Sequence, residues 1–166
     1  MTSVLFLCTG NAARSVMAGV ALRRQRPDLQ VETAGTLSVD GMPISWRTRA
    51  ALDDVGLAWP KHASRQAGRA ELHRSDLIIA LAPEHVEWVR REHPDMSRRT
   101  ATLIRLTKEL EPGPAPLASR IDLLELASVE LEPWEEVVDP GGGEVGAFVA
   151  CAREIVALVD QLAERL

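Results

Sequence analysis

The chain has 166 residues, 46% apolar and 26% charged, the proportions of a globular protein with room for a sizeable core. A net charge of −5 argues against general nucleic-acid binding but leaves open a local anion site built from a few groups. The two cysteines, Cys8 and Cys151, stand far apart, which excludes a disulfide scaffold and fits a reducing compartment. No apolar stretch approaches the length needed to cross a bilayer, and the apolar run at the N-terminus is too short for a signal peptide. The expectation is one domain over residues 1–166, cytoplasmic, with no membrane partner.

In chain order, Val4–Leu7 is an unalternating apolar run, the mark of a central parallel strand covered on both faces. A helix is predicted from Arg14 to Gln25, stopped by Pro27. Leu29–Thr33 reads as a second strand, turned by Ala34-Gly35-Thr36. Ser45 suits the N-cap of a helix through Val55 with Gly56 beyond its end, and Trp46, Ala50 and Leu52 are placed on its buried side. His62–Gln66 is a polar loop, Gly68–Arg74 a short helix, and Asp76–Leu81 a third strand. Pro83 starts a helix that runs to about His93. Ala101–Leu106 is read as the fourth strand, and the proline-spaced stretch from Glu111 to Pro116 as a surface loop. Leu117–Leu131 has helical spacing. Trp134–Gly143 is a loop, and the last helix runs from about Val145 to Arg165. Strands alternating with helices predict a three-layer α/β fold, a four-stranded parallel sheet with helices on both faces.

The chemistry concentrates after the first strand, in Cys8-Thr9-Gly10-Asn11-Ala12-Ala13-Arg14-Ser15. Such a loop at the carboxyl edge of a central strand is where open α/β sheets bind ligands. Backbone N–H groups of Thr9, Gly10, Asn11, Ala12, Ala13 and Arg14, with the N-terminus of the next helix, suit a tetrahedral oxyanion. The Arg14 guanidinium is a planar fork for two phosphate oxygens, and the same positive potential favours a thiolate at Cys8. Gly10 permits close backbone approach, Asn11 tolerates positive φ, and Ser15 can donate a hydrogen bond to sulfur. The plain alternative is a buried cysteine that merely ends a strand.

In this form the motif resembles the low-molecular-weight protein tyrosine phosphatase family, which includes an arsenate reductase branch. The resemblance implies a phosphate-binding loop after strand 1 and a cysteinyl-phosphate intermediate, with no cofactor or metal. It implies Cys8 as nucleophile, Arg14 as phosphate ligand and Asp139, in Asp139-Pro140, as general acid and then base. It implies that His62, in His62-Ala63-Ser64-Arg65-Gln66, braces the asparagine of the loop. Arg47 resembles a structural position of the family. His73, His85 and His93 have no metal-ligand spacing and read as surface or packing residues.

The departures are as informative. Ala13 stands where many relatives carry a second cysteine, Leu81-Ala82 where Met-Asp is common, and Gly141-Gly142 where aromatic residues line the pocket. Thr9, Ala12, Ala13 and Val39 suggest a wider or less hydrophobic rim, so phosphotyrosine preference stays open. The expected substrate is a phosphorylated protein or a small aryl phosphate. The alternatives are an arsenate reductase using an external thiol and a catalytically weak anion-binding module.

Overall fold

A computed structural model describes residues 1–166. Four parallel strands, β1 (Ser3–Cys8), β2 (Gln30–Gly35), β3 (Leu77–Ala80) and β4 (Thr100–Thr102), form one sheet in the order β2-β1-β3-β4. β1 is central, pairing Cys8 with Gly35 on one side and Leu7 with Ala80 on the other. Seven α-helices surround it: α1 (Arg14–Gln25), α2 (Trp46–Asp54), α3 (Arg69–Arg74), α4 (Pro83–Glu92), α5 (Leu103–Glu109), α6 (Leu117–Asp122) and α7 (Val145–Ala163).

The sheet faces explain the apolar run. Val4, Phe6 and Cys8 enter the larger core with α1, α2, α5 and α7, whereas Leu5 and Leu7 enter a smaller one with Leu72 of α3 and Val89 of α4. Side chains alternate between faces along a strand, so a strand covered on both sides must be apolar at every position. This is the three-layer α/β architecture predicted above.

Three expectations need correction. The fourth strand has only three residues, Thr100–Thr102. Thr102 then caps a helix: its side-chain oxygen accepts from Arg105 N at 3.2 Å, and Leu103–Leu106 continue into α5. The helical spacing across Leu117–Leu131 yields a helix only to Asp122. Glu125 has φ of 49°, a left-handed turn conformation that breaks the helix, yet Ile121 and Leu126 still reach the core. Trp46 is exposed rather than buried, because it opens α2 and the inward side of that helix is carried by Thr48, Ala51 and Leu52.

Candidate active site

The turn from β1 into α1 is held from outside by its carbonyls. Thr36 N donates to Cys8 O at 2.9 Å and Leu37 N to Thr9 O at 3.0 Å. Asn11 O accepts from Ser64 Oγ at 2.9 Å and lies 2.7 Å from His62 Nε2, while Ala12 O accepts from Thr48 Oγ1 at 3.2 Å. With the carbonyls drawn outward, the N–H groups of Thr9 to Arg14 have no protein partner. A ring of free N–H groups at a helix N-terminus is an anion cradle.

Asn11 is the keystone of that shape. It is fully buried, with φ of 51°, and its side chain bonds in three directions. Nδ2 donates to Thr33 Oγ1 at 2.9 Å and Ser15 Oγ at 3.0 Å, and Oδ1 accepts from Arg65 N at 3.0 Å. Such short polar side chains are among the few that tolerate the left-handed region. Gly35, beside Cys8 on β2, is needed for space: a Cβ there would collide with the Thr9 carbonyl and with Ser38.

Cys8 is buried at the floor, and its thiol donates to Ser15 Oγ at 3.0 Å. In the thiolate the contact reverses. Ser15 Oγ already accepts from Asn11 Nδ2, so its own proton is free for the sulfur. Arg14 is buried beside it. Nη1 donates to Val137 O at 3.0 Å, and Nη2 lies 3.3 Å from Asp139 Oδ2. Asp139 reaches the site from the loop before α7, and Gly141 N donates to its Oδ1 at 2.9 Å. Its side chain is 54% exposed, open to solvent and to an arriving ligand.

These groups line one cavity of about 330 Å³, formed by Cys8–Gly10, Ala12–Arg14, Ser45, Thr48, Asp139, Gly141 and Phe148. It brings together a thiol, an anion cradle, a fixed cation and a carboxyl, the parts needed to transfer a phosphoryl group to sulfur and then to water. His62 is not among the cavity-lining residues; its Nε2 lies 2.7 Å from the carbonyl oxygen of Asn11.

Other residues of this region gave little signal in the sequence. Ser45, Thr48 and Phe148 shape the cavity from α2 and α7. Phe148, largely packed in the core, also turns an edge to the cavity and supplies an aromatic surface that the glycines after Pro140 do not. His85 is not a surface residue: it is 1% exposed, and its Nε2 lies 2.9 Å from Thr9 Oγ1. Arg47 lies over the Trp46 ring at 4.8 Å, away from the cavity lining.

The model of the family described as low molecular weight phosphotyrosine protein phosphatase matches residues 3–113. The chain belongs to that family. A low-molecular-weight protein-tyrosine-phosphatase of Streptomyces coelicolor is 34% identical over 119 residues, 68% of this chain and 71% of that relative. A protein-arginine-phosphatase of Geobacillus stearothermophilus is 25% identical over 164 residues, 98% and 95% of the two chains. Among solved structures, the YwlE arginine phosphatase of Geobacillus stearothermophilus aligns with a TM-score of 0.79 at 24% identity, over 99% of this chain and 92% of that one. A low-molecular-weight protein tyrosine phosphatase from T. tengcongensis aligns with a TM-score of 0.79 at 23% identity over all of both chains. Family membership makes this a phosphatase of the cysteine-dependent class. The family match ends before Asp139, so the placement of that residue rests on the cavity itself.

Proposed function

We propose that the protein is a protein phosphatase in which Cys8 is the nucleophile, Arg14 and the loop N–H groups bind the phosphoryl oxygens, and Asp139 is the general acid and base. The observation that carries this is the convergence of Cys8, Arg14 and Asp139 on one cavity from opposite ends of the chain. The Cys8 thiolate attacks phosphorus while the bond to the leaving group breaks and Asp139 gives its proton to the departing atom. Water then attacks the cysteinyl-phosphate, Asp139 takes the water proton, and the S–P bond breaks to release phosphate and the thiolate. Asp139 neighbours Arg14 before substrate arrives. A phosphate dianion takes over that guanidinium, which leaves the Asp139 carboxyl free to face the leaving atom.

Ser15 orients the sulfur, while Asn11 and His62 hold the loop in shape. The substrate is a phosphorylated side chain of a protein. Phosphotyrosine fits the family description and the Phe148 surface. Phosphoarginine is the second reading, favoured because the arginine phosphatase relative aligns along nearly the whole chain and because Gly141 leaves the acid side of the cavity without a ring. Turnover of matched phosphotyrosine and phosphoarginine peptides separates the two. The internal thiol relay of some arsenate reductases is disfavoured, since Cys151 is buried in α7 and burial pushes its thiol up to about 12.

Asp139→Asn is the test of the acid role. It should slow substrates with poor leaving groups by about 100- to 10,000-fold and activated aryl phosphates far less. Equal losses across a leaving-group series would show that Asp139 does not protonate the departing atom.

A further inference from the structure

The mechanism above does not use His85, yet its ring sits directly behind the phosphate-binding loop. It projects from the first turn of α4 on the far face of the sheet and is 1% exposed. Its Nε2 lies 2.9 Å from Thr9 Oγ1, and the same hydroxyl oxygen accepts from Arg14 Nη2 at 3.4 Å. One hydroxyl therefore links a buried ring to a buried guanidinium.

We propose that His85 is a positioning residue which, through the Thr9 hydroxyl, aims the Arg14 guanidinium at the phosphoryl group. This rests on Arg14 being the phosphate ligand. Arg14 has one side fixed by Val137 O, but its Nη2 faces only the exposed Asp139 carboxylate and Thr9 Oγ1. When phosphate displaces Asp139, Thr9 is the one remaining protein contact of that nitrogen. A threonine hydroxyl free to rotate would not hold it. His85 removes that freedom, and the bond forms with either ring tautomer because a hydroxyl both donates and accepts.

The ring acts as a neutral partner. The charged groups around it are Arg14, Asp139 and Glu84, whose Oε1 is 3.5 Å from Nε2. Burial, with Arg14 adding to it, pushes the imidazole down to about 3, so near neutral pH it adds no second cation to the cradle. Positioning by an uncharged group should therefore leave the pH profile between pH 5 and 8 without an inflection from His85.

The experiment compares wild type with Thr9→Val, His85→Leu, His85→Gln and the Thr9→Val/His85→Leu pair. It reads the inhibition constant for inorganic phosphate, kcat and KM for an aryl phosphate, and the melting temperature. Thr9→Val and His85→Leu should each weaken phosphate binding about fivefold to tenfold, in line with the loss of one hydrogen bond near a charged group. The double variant should be no worse than either single, and His85→Gln, which keeps a polar atom near the Nε2 position, should recover most of the loss. Additive losses in the pair would overturn the relay. So would a His85→Leu enzyme that melts earlier but binds phosphate as wild type does. Because the relay is read on phosphate affinity, an enzyme that binds phosphate but turns over no phosphorylated substrate would sink the hydrolase assignment and not the relay.

Discussion

Arg14→Lys should lower kcat/KM for an aryl phosphate by about 100- to 1,000-fold, the scale on which a preorganised oxyanion donor is felt. The residue is 2% exposed, and its fork serves three acceptors at once: Val137 O, Asp139 Oδ2 and Thr9 Oγ1. A lysine keeps the charge but ends in one point-like ammonium on a flexible stem. It cannot hold Val137 O on one side and present two parallel N–H groups to phosphate on the other. The loss should appear in kcat as well as in phosphate affinity, since the fork must track charge as it shifts among the phosphoryl oxygens. Loss of affinity alone, with kcat intact, would mean that Arg14 binds the ground state and does no more.

The second large effect lies away from the cavity. Arg105→Met should destabilise the fold by about 3–5 kcal/mol, the range for removing one partner of a buried ion pair. Glu135 has no solvent exposure, and Arg105 grips it with Nε at 2.8 Å and Nη2 at 2.9 Å. The same carboxylate accepts from Thr102 Oγ1 at 2.7 Å and Glu132 N at 2.7 Å. Burial alone would raise the Glu135 carboxyl, but the Arg105 and Thr102 bonds outweigh it and hold it below the usual range. Its stabilisation is therefore complete at neutral pH. It fades as the pH falls through the unfolded glutamate value of about 4 and below. Removing Arg105 strands that carboxylate in the interior. Converting both partners, Arg105→Met with Glu135→Leu, should restore much of the loss, because two packed apolar groups leave no charge behind. Urea unfolding of the two variants measures both numbers. Equal instability of the single and the double would assign the loss to packing instead.

This pair also bears on catalysis. Glu135 anchors the segment that continues through Val137, whose N–H donates to Leu81 O at 2.8 Å, to Asp139. Asp139 reaches the cavity from a segment whose buried carboxylate, four residues earlier, is fixed to β4 and α5.

Much of this molecule is legible in the order of its residues. Val4–Leu7 declares a strand covered on both faces, and Cys8–Ser15 declares an anion loop, since both signals are local and depend on adjacent residues. What failed to show depends on contacts across the chain. Leu103–Leu106 has strand-like composition, but the Thr102 side chain caps a helix there, and propensity yields to the cap. Glu125 adopts a left-handed turn that its residue type does not advertise. His85 carries no motif; only the fold sets it against Thr9, seventy-six positions away. Glu135 reads as one more surface acid in an acidic chain until Arg105 is placed beside it.

The central claim is a covalent phosphate on Cys8. Acid-quenching the enzyme during turnover of an aryl phosphate, then locating phosphate by peptide mass spectrometry beside a Cys8→Ser control, tests it most directly. The account predicts phosphate on the Cys8 peptide and no turnover by Cys8→Ser. Substantial turnover by Cys8→Ser, or phosphate carried on another residue, would contradict it.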